Sequence, residues 1–265
     1  MAITLRSRRE IELIRKAGAV VANVLSKLKD MAKPGITTLD LDNVASEMVV
    51  QAGAEPLFKG VHSPAARKPF PGVICTSVNE QVVHGIPSKD SRLEEGDILS
   101  LDFGVRLNGY CADAALTVAV GAISPENRRL MDVTRHALDI AIEKSAPSVR
   151  WSRVAAEMQR YTEAAGFSVV RDFVGHGIGT KMHEDPRVPN FVSSELLAED
   201  VVLTEGMVIA VEPMINAGSR GVRTLDNGWT VVTRDGKCSA HFEHTIVVVK
   251  GGCEVLTTEK QGSAV

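Results

Sequence analysis

Residues 93–102, LEEGDILSLD, are decisive for the fold because their pattern returns 110 positions later, at residues 203–212, as LTEGMVIAVE. Three of the ten positions are identical, and a carboxylate ends both copies, as Asp102 and Glu212. A turn that contains Gly and leads into a short apolar run is typical of a buried strand. The repeat therefore predicts two equivalent strands, each ending in an acidic side chain.

Two further echoes extend this repeat along the chain. Residues 44–48, VASEM, match residues 154–158, VAAEM, at the same offset of 110 positions. The tripeptide HGI stands at residues 84–86 and again at 176–178. One such match would fit chance similarity between amphipathic segments. Three matches in the same chain order favour the duplication of one unit.

The length and composition fit one globular domain. The chain has 265 residues, of which 44% are hydrophobic and 24% charged, and this balance excludes a disordered or a disulfide-dense chain. We predict a single domain over residues 1–265, with pseudo-repeat halves at about 5–120 and 121–257 that close around a shared site. The net charge of −3 gives no basic excess for nucleic acid.

The first residues and the cysteines bear on the compartment. The N-terminal sequence lacks the apolar stretch of a secretion signal, and no apolar run is long enough to cross a membrane. The four cysteines form no C-x-x-C pair. We therefore expect a reducing, cytoplasmic location and no membrane contact.

Periodicity and turn residues give a coarse map of the elements. Apolar residues at the helical period predict a first helix between Ser7 and Pro34. Residues 54–75 have no periodicity and are predicted to form a loop, and Asp235-Gly236 is predicted to turn the last hairpin. The other predicted helices cover residues 39–51, 125–144 and 152–165, and the other predicted strands cover about 168–174, 207–214, 229–233 and 241–249.

A predicted hairpin holds the first pair of chemically active residues. Strands at about 97–105 and 110–120 flank Asn108-Gly109, a strong signal for a two-residue turn. Such a turn places residue 102 opposite residue 115, with Asp113 diagonal to Asp102; a shift of one residue would place the two Asp directly opposite. Either register brings two carboxylates together on an apolar hairpin. A proton, an Arg or a metal ion must then lie between them, because like charges repel and burial disfavours both.

The second half supplies the same chemistry. Glu212 and Glu243 each lie in an apolar strand, and glycines flank His176. Two Asp, two Glu and one His suit divalent Mn, Fe, Co or Zn. Two divalent ions would balance four carboxylates, and a hydroxide bridging them would be a ready nucleophile, because a metal lowers the pKa of bound water to about 7. A lone carboxylate of this kind is more often a helix cap or a surface ion pair.

The motifs of the chain resemble those of the type I methionine aminopeptidases of peptidase family M24. They occur in the family's order over about residues 5–257. The matching segments are 79–87 (NEQVVHGIP), 96–102, 109–113 (GYCAD), 175–179 (GHGIG), 183–186 (HEDP), 212–214 (EPM) and 243–245 (EHT). The resemblance implies an α+β, pita-bread (creatinase/aminopeptidase) fold. Such a fold is internally duplicated with pseudo-two-fold symmetry, and helices cover its curved antiparallel sheet.

The resemblance also implies a function and a site. It implies a metal-dependent aminopeptidase that removes the N-terminal methionine from nascent polypeptides and prefers a small second residue. His84 and His183 would contact the scissile amide. Two divalent ions (Co²⁺, Mn²⁺, Fe²⁺ or Zn²⁺) would be bound by Asp102, Asp113, His176, Glu212 and Glu243. The methionine side chain would lie in an apolar pocket beside His84 and His183, formed by Phe70, Cys75, Met182 and Trp229.

Some positions depart from the family pattern. The segment 56–70 is longer than usual, Met182 replaces a frequent Phe, and His241 stands where Gln is often found. These changes leave the second-residue preference and the role of His241 open. The physiological metal and docking on the ribosome are open too, whereas the single-domain plan suits a monomer. Two alternatives remain at this point: an X-Pro aminopeptidase of the same fold and a non-catalytic pita-bread binding module.

Overall fold

The computed structural model describes residues 3–258, and most helices in this part of the chain begin at a residue whose side chain caps them, although the helix that begins at Trp151 has no side-chain cap. The Ser7 side chain accepts from the Glu10 N–H and the Glu10 side chain accepts from the Ser7 N–H, which is a capping box. Ser124 caps the third helix, and Pro125 occupies its first position. The four helices predicted from sequence are confirmed. The helices are α1 (Arg8–Met31), α2 (Thr38–Gln51), α3 (Pro125–Lys144), α4 (Trp151–Ala164) and α5 (Ser194–Ala198).

Most strands of the described chain belong to one large sheet. In chain order they are β1 (Glu55–Pro56), β2 (Cys75–Val78), β3 (Gln81–Val83), β4 (Ile98–Leu107), β5 (Tyr110–Ala119), β6 (Ser168–Val169), β7 (Gly175–Gly177), β8 (Glu184–Val188), β9 (Val208–Val211), β10 (Met214–Asn216), β11 (Val222–Thr224), β12 (Val231–Thr233), β13 (Ser239–His241), β14 (Glu243–Val249) and β15 (Gly252–Val255). The large sheet is antiparallel, curled, and ordered β1-β4-β5-β14-β9-β7-β8, with β2 on β4 and β15 on β14. Two three-stranded sheets, β13-β10-β6 and β11-β12-β3, stand beside it.

The helices cover one face of the large sheet, so the architecture is α+β as predicted. Apolar residues of α1 pack against β4 and β5, and α2 packs against α1 and β1. In the second half, α3 packs against β13, β14 and β15, and α4 packs against α3 and β6. The first and second halves of the chain meet at β5 and β14, where Ala115 is opposite Glu243. Among the described residues, no helix is both long and apolar enough to cross a membrane.

The β4–β5 hairpin has the register that a two-residue turn requires. Asn108 and Gly109 have φ angles of 52° and 83°, and positive φ at both central residues fits a type I′ turn. Asp102 is opposite Ala115, and Asp113 is opposite Gly104. The two carboxylates are therefore diagonal neighbours on one face, and the alternative register is wrong.

The two halves share local contacts as well as sequence. Leu93 N–H donates to the Ile36 carbonyl at 2.8 Å, and Leu203 N–H donates to the Val149 carbonyl at 2.8 Å. These bonds join equivalent places, because each links the turn before a strand to the residue preceding a helix cap. The single domain with two pseudo-repeat halves stays a prediction, and its residues 1–2 and 259–265 lie outside the described chain.

Several predicted strands differ from those observed. The strand expected at 168–174 pairs only over β6. The strand expected at 207–214 is interrupted at Glu212-Pro213, because Pro has no N–H for the ladder and the chain passes from the large sheet into a smaller one. Asp235-Gly236 does not form a hairpin, since β12 pairs with β11 and β3, whereas β13 pairs with β10. The predicted loop at 54–75 contains the short β1 and the first residue of β2.

Candidate metal centre

Neighbouring strands of the large sheet bring the five candidate ligands together on the face opposite the helices. Alternate side chains of a strand point to opposite faces, and Leu101 and Phe103, which flank Asp102, pack in the core against the helices. Each of five consecutive strands in the sheet order contributes one ligand. The ligands are Asp102 from β4, Asp113 from β5, Glu243 from β14, Glu212 at the end of β9 and His176 from β7.

This cluster has the properties of a cation site. Asp113, His176 and Glu243 each offer a ligand atom, and these atoms lie within 4.8 Å of one another. Asp102 Oδ1, Asp113 Oδ1 and Glu243 Oε1 are buried and have no hydrogen-bond partner among the described residues. Within residues 3–258, no Lys or Arg forms an ion pair with these carboxylates. The basic groups within 4 Å of Glu212 are the imidazoles of His176 and His241, and both are neutral because burial lowers their pKa to about 4 and about 3. Buried anionic oxygens without partners are costly, so the residues fit a bound divalent metal.

Burial raises the pKa of all four carboxyl groups, and repulsion from negative neighbours raises it further for Asp102, Glu212 and Glu243. Burial raises the pKa of Asp113 to about 7. The pKa values of Asp102, Glu212 and Glu243 lie well above the usual range, first because of burial and then because of negative neighbours. Without a cation, burial therefore favours the protonated forms of these carboxyl groups. A divalent ion would take the place of those protons.

Two imidazoles approach the Glu212 carboxylate from different sides. His176 Nε2 lies 3.7 Å from Glu212 Oε1, and His241 Nε2 lies 3.8 Å from Glu212 Oε2. His176 Nδ1 is 2.9 Å from the Gly177 carbonyl oxygen. A proton on Nδ1 satisfies that carbonyl and leaves the Nε2 lone pair free for a metal.

An apolar cavity of about 170 Å³ adjoins the carboxylates. The structure places all four predicted pocket residues in its lining, together with His84 and His183. The Phe70 and Trp229 rings meet edge to face with centroids 5.3 Å apart. Trp229 Nε1 donates to the Lys68 carbonyl at 2.9 Å, so the indole ties the segment 56–70 to the cavity wall.

His84 and His183 lie where the cavity meets the carboxylate cluster. Burial lowers the pKa of His84 to about 4, and the ring packs edge to face against Phe173 with centroids 5.6 Å apart. The His183 ring is perpendicular to that of His176, with centroids 4.4 Å apart, and burial lowers its pKa as well. Both rings are therefore neutral at pH 7 and each carries one N–H donor.

A wider cavity of about 790 Å³ forms the approach to this site. It shares His84, His176, His183 and Glu212 with the apolar cavity. The two cavities therefore adjoin at three histidines and one carboxylate of the candidate site.

The turn that presents Met182 and His183 is held by Glu184. The Glu184 carboxylate accepts from the Thr180 N–H at 2.8 Å and from the Lys181 N–H at 3.0 Å. It also forms an ion pair with Arg6, whose side chain is 5% exposed. A residue that precedes α1 thus fixes a turn in the other half of the chain.

Sequence reasoning assigned no site role to Phe58, Val61 or Thr245. Phe58 and Val61 line the apolar cavity, and their only signal was apolar character inside a polar segment rich in Pro and Gly. Thr245 fixes Asp113, because its hydroxyl donates to the Asp113 carbonyl at 2.8 Å and accepts from the Asp113 N–H at 3.1 Å. A buried Thr in a strand gives no sequence signal for that role.

Comparison with known proteins places this geometry in a family. The model of "Metallopeptidase family M24" matches residues 12–250. The methionine aminopeptidase of Clostridium perfringens is 49% identical over 97% of the chain and 100% of its own length. The crystal structure of the Thermotoga maritima methionine aminopeptidase superposes with a TM-score of 0.91 at 40% identity, covering 97% of this chain and all of that one. A prolidase from Pyrococcus furiosus shares only the fold, with a TM-score of 0.71 at 22% identity, and 66% of that longer chain is covered.

Proposed function

The chain belongs to metallopeptidase family M24, and we propose that it removes the N-terminal methionine from nascent proteins and peptides whose second residue is small. It is a metal-dependent methionine aminopeptidase, like the relatives that match it over nearly its full length. One observation carries the proposal: a buried carboxylate cluster without cationic partners opens into an apolar cavity.

The five residues of the cluster would hold two divalent ions. Four carboxylates carry four negative charges, which two such ions balance. These ions would supply Lewis-acid polarisation of the scissile carbonyl and activation of a water molecule. The chain itself orients the ligands through the His176–Gly177 contact and through the two bonds between Thr245 and Asp113.

His84 and His183 would act on the scissile amide. Each is a neutral imidazole, since burial lowers its pKa, and each lies between the cavity and the ligands. A neutral imidazole donates one hydrogen bond without a charge of its own. The two rings would thus orient the peptide and stabilise negative charge that develops on its oxygen.

The apolar cavity would select the first side chain. Phe70, Cys75, Met182 and Trp229 offer aromatic edges and sulfur atoms, which suit a flexible thioether. The second residue would lie beside His84, His176 and His183, which line both the apolar cavity and the wider one, and a small side chain is the one that such a position would accommodate best. The atypical segment 56–70 adds Phe58 and Val61 to the cavity wall, so it contributes to specificity.

The test is the release of free methionine from Met-Ala-Ser. We expect no release from chelated protein and recovered release when Co²⁺, Mn²⁺, Fe²⁺ or Zn²⁺ is added back. Asp113→Ala and His176→Ala should abolish release, whereas Asp90→Asn, which changes an exposed carboxylate outside the site, should retain it. Full activity of either site variant would contradict the ligand assignment.

The two alternative functions are not favoured. The X-Pro enzymes among the neighbours share the fold at 22% identity, whereas the methionine aminopeptidases of Clostridium perfringens and Thermotoga maritima share 49% and 40% identity over nearly the whole chain. Faster cleavage of an Ala-Pro peptide than of Met-Ala-Ser would reverse this order. A non-catalytic module would not need a cluster of buried, unpaired carboxylates.

Further features of the proposal concern assembly and compartment. All five ligands come from one chain, so a monomer is sufficient for activity. The four cysteines are unpaired, which suits the reducing cytoplasm where nascent chains are made.

A further inference from the structure

His241 is a buried imidazole outside the proposed ligand set. It lies at the end of β13 and is 2% exposed, and its Nε2 atom has no hydrogen-bond partner within the part of the chain that the structure describes. A buried polar atom without a partner is costly to folding. The protein therefore retains a costly group directly beside its proposed metal centre.

The backbone of His241 is fixed on two sides. The Thr117 hydroxyl accepts from the His241 N–H and donates to the His241 carbonyl, both at 2.8 Å. The Ser100 hydroxyl, 2.8 Å away, provides the second hydrogen bond that the Thr117 oxygen can accept. On its other side, His241 is the register partner of Met214, two residues after Glu212. The imidazole thus starts from a rigid backbone close to Glu212.

The side chain of His241 faces one oxygen of Glu212. Its Nε2 lies 3.8 Å from Oε2, while His176 Nε2 lies 3.7 Å from the other oxygen, Oε1. A neutral imidazole has one N–H, and the facing carboxylate oxygen favours the tautomer with that hydrogen on Nε2. A shift of less than 1 Å in the Glu212 side chain would bring the pair to hydrogen-bond distance.

We propose that His241 is a positioning residue, whose Nε2–H donates to Glu212 Oε2 and so fixes the orientation in which Glu212 binds metal. This inference rests on the proposed metal-dependent function. The hydrogen bond would satisfy the unpaired Nε2 and limit rotation of the carboxylate. Partners of this kind typically contribute 10–100-fold to metal affinity.

The test measures Co²⁺ binding rather than peptide cleavage. Wild type, His241→Leu and His241→Gln are titrated with Co²⁺ alone by calorimetry, and the visible absorption of bound Co²⁺ reports on its ligands. His241→Leu should bind about 10–100-fold more weakly, whereas His241→Gln, which retains an N–H donor, should recover most of that loss with an unchanged spectrum. His136→Leu, at an exposed histidine of α3, is the control and should bind as wild type does. Thermal unfolding in chelator checks that each variant is folded.

Three results would overturn the inference. Wild-type affinity in His241→Leu would mean that the imidazole does not influence Glu212. Equal losses in both variants, with a Co²⁺ spectrum that has lost a nitrogen ligand, would make His241 a direct ligand instead. A wild-type protein that binds no Co²⁺ would refute the proposed metal-dependent function itself, and the inference would fail with it.

Discussion

Replacing Asp113 with Asn should stabilise the metal-free protein while removing its ability to bind metal. Asp113 is 3% exposed and lies among three other carboxylates, none of which has a Lys or Arg partner in the described chain. In Asp113→Asn the shape is conserved and the charge is lost. A substitution in a functional site that raises stability is the signature of a group kept for function against its own folding energetics.

The size of the effect follows from the pKa of Asp113. Burial raises this pKa to about 7 in the folded protein, against about 3.9 in an unfolded chain. This difference corresponds to about 4 kcal/mol, at about 1.4 kcal/mol for each pH unit. Because the folded pKa is the higher one, the contribution of protonated Asp113 to the free energy of unfolding is complete below about pH 4. This contribution is lost as the pH rises through about 7. About 3 kcal/mol of the total is lost between about pH 5 and pH 8.

The assay is urea unfolding of chelated protein across this pH range. Wild type should lose stability between about pH 5 and pH 8, and Asp113→Asn should show a flatter profile and be the more stable protein at about pH 8. Added metal should reverse the order once its concentration exceeds about 1,000 times its Kd, because binding at that level contributes about 4.1 kcal/mol, and to wild type only. Asp90→Asn controls for loss of an exposed charge. A chelated wild type with no pH dependence, or an Asn variant less stable at the upper pH, would refute the reasoning.

Three other predictions concern the same region. Arg6→Met should remove the ion pair of the Glu184 carboxylate and lower the free energy of unfolding by about 3 kcal/mol. Because the turn that carries His183 is then loosened, KM for Met-Ala-Ser should rise by a larger factor than kcat falls. An unchanged KM would argue against this role. Trp229→Ala should lower kcat/KM for methionyl peptides by at least about tenfold, because the edge-to-face contact with Phe70 and the hydrogen bond to the segment 56–70 are both lost. Steady-state kinetics would measure this, and an unaffected kcat/KM would contradict the assignment of Trp229 to the methionine pocket. Metal binding at neutral pH should release protons, because the carboxyl groups of the site have raised pKa values. The calorimetric heat of metal binding should therefore change with the ionisation heat of the buffer. Identical heats in all buffers would count against the raised pKa values.

The parts predicted best from sequence were those that local rules determine. Asn108-Gly109 fixes a two-residue turn, and the turn fixes the register that brings Asp113 beside Asp102. Ser7, Ser124 and Pro125 mark helix starts, because capping depends on a few adjacent residues. The carboxylate cluster follows from these local features together with the repeat.

The parts that sequence did not reveal depend on contacts between distant segments. The break at Pro213 moves the chain from one sheet to another, which an apolar run cannot indicate. Glu184 fixes the turn of His183 through Arg6, 178 residues away, and Trp229 holds Lys68 across 161 residues. No periodicity encodes such pairs. They arise only when the two halves of the chain are packed together.

The four carboxylates are brought together where the two halves of the chain join, at the pairing of β5 with β14. Asp102 and Asp113 come from the first half, Glu212 and Glu243 come from the second, and β5 pairs with β14 to bring all four together. Each half alone would hold two carboxylates, whereas the pairing of β5 with β14 adds the electrostatic repulsion between the two pairs of carboxylates. A divalent cation offsets that repulsion only when both halves are in place, so metal binding and the pairing of β5 with β14 favour each other. The same coupling accounts for a site that is costly to its own fold in the absence of metal and becomes a source of stability once metal is bound.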